Sequence, residues 1–205
     1  MVAVRFWFLI ATSLFVSHVT IANDEQALTA LFKDFDQVQT DFDQTIADSY
    51  GRILETSSGF LTISKPSARW EVIQPYPQII VLNDKDLQIY DPDLEQVTER
   101  DLSDGWEEVP LALLLGSGTE IGEHFHISQE VHEGFDEFLL MPKAVDALFE
   151  SIKILVQEGH ISQLSIRDQG EQETVILFRN YSSDVVLESE VFELDLPPDT
   201  DVIRG

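Results

Sequence analysis

Cysteine is absent from all 205 residues, which excludes a disulfide framework, thiolate catalysis and lipid attachment to the chain's own cysteine. Basic residues are scarce, 12 Lys and Arg against 38 Asp and Glu. So acidic a chain repels nucleic acid and anionic lipid headgroups, and neither is expected as a partner. Long apolar runs are missing too, apart from one near the start. There Arg5 precedes FWFLIATSLFVSHV, and small Thr20 and Ala22 follow. The run is interrupted by Ser13, Ser17 and His18 and falls short of the ~18 to 20 residues that a membrane span needs. It predicts a secretory signal peptide over residues 1–22, removed after Ala22, with no stable membrane insertion. Removing the one Arg of that segment changes 12 against 38 to 11 against 38, a net charge of −27. Residues 23–205 then read as one domain, since a chain 43% hydrophobic and of this length can bury a single substantial core.

Catalytic patterns are equally sparse. GSG at 116–118 lacks the G-x-S-x-G elbow, no glycine-rich phosphate cradle occurs, and DPD (91–93) and DTD (199–201) lack the rest of a calcium loop. His124, His126, Glu130 and His132 fall at even spacing, with Phe125, Ile127 and Val131 between them, which is the alternation of a half-solvated strand. The expectation is no enzyme activity, no metal and no cofactor.

What the sequence does hold is periodic apolar residues. Leu28, Leu31, Phe32 and Phe35 recur at three and four residues behind Asp24 and Glu25, which predicts an amphipathic helix with acids at its N-terminus. The period then falls to two in VQTDFDQTI, GFLTI, RWEVI and QIIVL, and continues through LQIYD, LEQVTER, HFHISQEVHE, FDEFLLMP, IKILVQ, HISQLSIRD and ETVILFRNY. Brief turns separate them, among them QPYP (74–77), NDKD (83–86) and YDPD (90–93). Connections this short predict an antiparallel meander of about eleven strands, enough for a closed or nearly closed barrel. One segment, EEVPLALLLGSG (107–118), breaks the pattern: Pro110 opens a short helix that is apolar all round, and Gly116 stops it. A barrel of this size needs a plug or a ligand, so such a helix suits a lid.

From residue 59 to 98 the order GFLTISKPSARWEVIQPYPQIIVLNDKDLQIYDPDLEQVT resembles the LolA family of periplasmic outer-membrane lipoprotein carriers. The resemblance extends through Pro110 and LALLLG, FLLMPK, ISQLSIRDQGEQETVILF and FELDLPPDTDVI. It implies a mainly β fold with some α, an incomplete and strongly curved antiparallel β-barrel covered by short helices that form a lid over an apolar cavity. It implies a chaperone in the periplasm of a Gram-negative bacterium, and since one cargo per carrier needs no symmetry, a monomer is expected. Its partners would be acylated lipoproteins, an inner-membrane ABC-type complex that releases them and an outer-membrane receptor lipoprotein. The missing cysteine separates the chain from the acylated receptor.

Alternation assigns Phe42, Leu61, Ile63, Trp70, Val72, Val81, Leu87 and Ile89 to the inner face, which the resemblance makes the acyl-binding surface, and the lid centres on Leu111, Leu114 and Leu115 of the short apolar helix. The resemblance makes Lys65 the lid latch, since family members usually carry arginine before that proline, bonded to lid backbone carbonyls. The lysine is a flexible point charge in place of a planar fork. The turn SAR (67–69) is one residue shorter than usual, and Ala68 stands nearest to an aromatic common there. Alternative readings are a carrier of the same fold for a glycolipid or free acyl chain, a sensor of mislocalised lipoprotein, and a hydrolase of acylated substrates, which the absent elbow disfavours.

Overall fold

The two-residue period becomes one sheet in the computed structural model, which describes residues 21–33, 35–84, 86–102, 110–116 and 118–204, with side chains described outside 21–23, 110–112 and 118–120. Helix α1 spans Ile21–Lys33. It is followed by β1 (Gln37–Ala47), β2 (Ile53–Ser64), β3 (Ser67–Gln74), β4 (Gln78–Asn83), β5 (Asp86–Asp91) and β6 (Gln96–Asp101). Two short helices, α2 (Pro110–Leu115) and α3 (Gly118–His124), lead into β7 (Phe125–His132), β8 (Phe135–Pro142), β9 (Phe149–Gln157), β10 (His160–Asp168) and β11 (Glu173–Ser182). A 3-10 turn at Ser189–Phe192 and the strand β12 (Asp201–Arg204) complete the described chain.

Among the described residues the sheet order is β12-β6-β5-β4-β3-β2-β1-β11-β10-β9-β8-β7. It consists of two meanders, β1–β6 and β7–β11, each built from sequence neighbours. They meet along a single antiparallel seam between β1 and β11. Tight turns set the hairpin registers. Between β9 and β10, Glu158 and Gly159 both take positive φ (52° and 82°), the two-residue turn whose twist matches that of the strands.

The sheet curls without closing, and its concave face carries the core. Strand order, antiparallel pairing and curvature agree with an incomplete barrel covered by helices. The eleven expected strands are all present, and β12 is a twelfth. It lies parallel to β6, the one parallel pairing among the described strands. Its four residues are all exposed, so it carries no alternation by which a sequence could announce it.

The segment leading to β12 crosses the convex face and buries a second, smaller apolar patch of Val81, Tyr90, Val97 and Phe192. Arg69 donates to the carbonyls of Val191 (3.4 Å) and Glu193 (3.5 Å), and the Asn83 amide donates to the carbonyl of Phe192 (3.2 Å). Val81, expected on the inner face, therefore lies on the opposite one. Its cross-strand partner is Arg69, whereas Ile80 pairs with Trp70 and Leu82 with Ala68. The cause is that β4 is apolar on both faces, so the run QIIVL loses the alternation that would fix its phase.

Phe192 is 6% exposed and roofs this patch. Phe192→Ala is expected to lower stability by about 3–5 kcal/mol. A shifted urea midpoint, with faster amide exchange across 188–204 and none added in α1, checks it.

Candidate functional site

The concave floor is built by register. Leu61 pairs with Trp70, Phe42 with both Gly59 and Phe178, and Leu82 with Leu87. These pairs aim their side chains to one side. Phe42, Leu61, Ile63, Trp70 and Leu87 are buried there, and Val72 and Ile89 pack half-buried against them. At the centre the Trp70 indole stacks on the Phe42 ring, centroids 3.7 Å apart and planes 25° off parallel. Gly59 must lack a side chain, because a Cβ would collide with the Glu71 carbonyl oxygen. Of the eight residues assigned to the inner face from the sequence, Val81 alone lies on the convex side. Ile80, Leu82 and Ala68 belong to the floor in its place. Once Trp70 is set inward, pairing across the β3–β4 hairpin would have found them.

Among the described residues, three helices cover the floor. From α1 come Leu28 and Phe32, followed by Phe35 just beyond its end, all buried, with the Phe32 and Phe35 rings edge to face at 6.5 Å. From α2 come buried Leu113 and Leu114 and half-buried Leu115, and α3 adds Ile121. Leu113 was not among the lid residues read from the sequence. The side chain of Leu111, which was, lies outside the described residues. A Cβ on Gly122 would come within 2.5 Å of Glu25 Oε1, which marks how closely α3 approaches α1.

Lys65 stands at the β2–β3 turn, where the apolar strand stops, and the Lys65–Pro66 peptide is cis. Its Nζ donates to the carbonyl of Phe32 at 2.7 Å, lies 3.6 Å from Asp36 Oδ1 and sits 5.5 Å from the centroid of the Phe32 ring. A cation at the C-terminal turn of a helix meets unpaired carbonyls and the negative end of the dipole. The described bonds of Lys65 thus hold α1 to the sheet. The lid carbonyls expected as its partners, in 107–118, fall partly in 107–109, outside the described residues. At the other end of α1, Asp24 Oδ2 accepts the backbone N–H of Gln129 (3.2 Å) on the edge strand β7.

Of the histidines, His126 and His132 share one face of β7 with Glu130, and His124 ends α3. His132 lies 3.7 Å from Glu130 and stacks on Phe135 at 4.5 Å.

An apolar concave floor roofed by short helices is the arrangement expected of the carriers that the sequence resembles. The model of that family, described as outer membrane lipoprotein carrier protein LolA, matches residues 33–195. The chain belongs to the LolA family. It is 34% identical to the outer-membrane lipoprotein carrier protein of Azotobacter vinelandii, over 88% of this chain and 89% of that one. It is 32% identical to the protein of the same name from Chromohalobacter salexigens, over 87% and 86%. A LolA superfamily protein from Nitrosomonas europaea shares the fold at 11% identity, with a TM-score of 0.51 over 87% of this chain and 99% of that one. Within this LolA fold, Lys65 joins one cover to the floor through a single charged side chain.

Replacing Lys65 by Met keeps the stem and removes the charge. The lost hydrogen bond predicts a destabilisation of about 1–2 kcal/mol. Amide exchange should rise in 28–36 while β9 and β10 keep their protection, and equal exchange in both proteins would refute the assignment.

Proposed function

We propose that the protein is a periplasmic lipoprotein chaperone, which shields the acyl chains of its cargo against the concave floor and carries them between membranes. The observation that carries this reading is the one-sided apolar sheet, covered by short helices instead of a second sheet. Membership of a family whose relatives are named outer-membrane lipoprotein carrier proteins supports it. The residues meeting the chains are Phe42, Leu61, Ile63, Trp70, Val72, Leu87 and Ile89. Lid residues Leu113, Leu114 and Leu115 fill the same space when no cargo is bound. Each buried CH2 of cargo stabilises the complex by roughly 0.8 kcal/mol, so partial burial of several chains keeps a lipoprotein in solution. No chemical step is involved.

The same reading supplies the rest of the cycle. An inner-membrane ABC-type complex loads the carrier and an outer-membrane receptor lipoprotein unloads it. Residues 1–22 direct export and are removed, leaving a single domain from Asn23. Lys65 restrains the cover, and release of its bond to α1 accompanies entry of the chains.

The direct test is native mass spectrometry after incubation with a purified triacylated lipoprotein and removal of detergent. A soluble one-to-one complex is expected. Precipitated lipoprotein beside protein that still takes up free lipid would overturn this cargo and favour another lipid. Within the carrier, Leu114→Glu should weaken cargo uptake about ten- to a hundred-fold, the equivalent of roughly 1.5–3 kcal/mol of apolar contact. Its urea midpoint should move little, because α2 can lift away from β3 without disturbing the sheet, and a loss of uptake that merely tracks unfolding would count against this role.

A further inference from the structure

Two polar side chains stand side by side in the apolar concave floor. The β1–β2 register is continuous from Phe42 opposite Gly59 to Gln44 opposite Ser57, so Gln44 and Ser57 share the concave side one step beyond the aromatic stack. Ile176, across from Gln44 on β11, continues that row and is buried. Ser57 is 8% exposed, and its hydroxyl has no hydrogen-bond partner among the described residues. The other buried hydroxyl on this side, that of Thr40, does have one: it donates to the Arg179 carbonyl at 2.7 Å. An open cleft of about 650 Å³, lined by residues 43–45 and 56–58 with Gln74 and Pro75, runs past this end of the strands.

A buried hydroxyl without a partner destabilises the empty protein, and such groups call for an explanation. A donor set into an otherwise apolar wall suits a ligand that is apolar along its length and carries an isolated acceptor. An ester carbonyl is such an acceptor and brings no donor of its own. We infer that Ser57 and Gln44 form a polar step in the concave wall that hydrogen-bonds the ester carbonyls of glyceryl-linked acyl chains. The chains themselves lie along the apolar rows on either side. The hydroxyl of Ser57 serves one ester, and the side-chain amide of Gln44, facing it across the strand pair, serves a second. The step fixes how deep the chains lie against the floor. This inference rests on the lipoprotein-carrier reading above and adds a linkage preference to it.

The test uses two synthetic peptides, each with an acylated N-terminal cysteine. In one the S-glyceryl group carries two ester-linked chains, and in the other two ether-linked chains of equal length. Both compete, in equal amounts, for the full mature protein in native mass spectrometry. The native protein should favour the ester peptide about two- to ten-fold, the range of one or two net hydrogen bonds. In Ser57→Ala the preference should fall towards one, with uptake of the ether peptide unchanged and the melting temperature equal or raised. Equal uptake of both peptides by the native protein would overturn the polar step and leave the carrier reading intact. A preference undiminished in Ser57→Ala, or a melting temperature lowered by it, would also overturn the step, the latter by showing that the hydroxyl serves the empty fold. Uptake of neither peptide by the native protein overturns the carrier reading and the polar step with it.

Discussion

A sheet that curls but does not close must hide its concave face without a second sheet to pack against, and the rest of this structure follows from that need. Helix α1 takes part in the hiding, with Leu28 and Phe32 and then Phe35 buried in the same core as the floor. Apolar burial is non-directional and does not by itself fix where a cover sits. Directional contacts at its ends do: Asp24 on the N–H of Gln129, and Lys65 on the carbonyl of Phe32. Neither end of the helix is left to water alone, and the first contact also occupies a donor of the edge strand β7.

Cations are few in this chain, which makes their positions informative. Lys65 holds the end of α1, Lys143 donates to the carbonyl of Gly122 in α3 at 2.6 Å, and Arg69 holds the segment that crosses the convex face. Three scarce basic side chains thus bind backbone carbonyls of three covering segments. Others meet acids at the surface, as Lys153 does with Glu137 (3.2 Å) and Arg204 with Glu99 (3.0 Å). With 38 acids against 12 bases, most carboxylates stay solvated. Exposed pairs of this kind contribute about 0–1 kcal/mol each, so the carbonyl-bound cations matter more to the position of the covers.

Much of this architecture was legible in the sequence. Strands with one wet and one dry face announced themselves by alternation, as in RWEVI, and so did α1 by its three- and four-residue spacing. Legibility failed where the solvent boundary was absent or hidden. Val81 is apolar on the convex face because Phe192, more than a hundred residues on, covers it, and no local pattern reports a distant cover. The start of β2 at Ile53 was missed since its first residues are exposed on both sides, and β12 for the same reason. Leu113 sits within an all-apolar stretch where no face can be told from another. Lys65 was found through the resemblance, yet its bond to α1 depends on a helix end and a turn that are brought together only by the fold.

The seam between β1 and β11 has a kinetic consequence. Every other antiparallel pairing among the described strands joins strands adjacent in sequence, whereas the bond from Thr40 to Arg179 spans 139 positions. Each meander can assemble from near neighbours, but the seam must pay the entropy of closing a very long loop before it gains anything. Phe42 and Phe178 face each other across it, so the aromatic centre of the floor is completed only when the two halves dock. Until then each half exposes an apolar face and an unpaired central strand, the species most prone to self-association. A chain whose two halves have not yet docked thus resembles its proposed cargo, an apolar surface in need of cover.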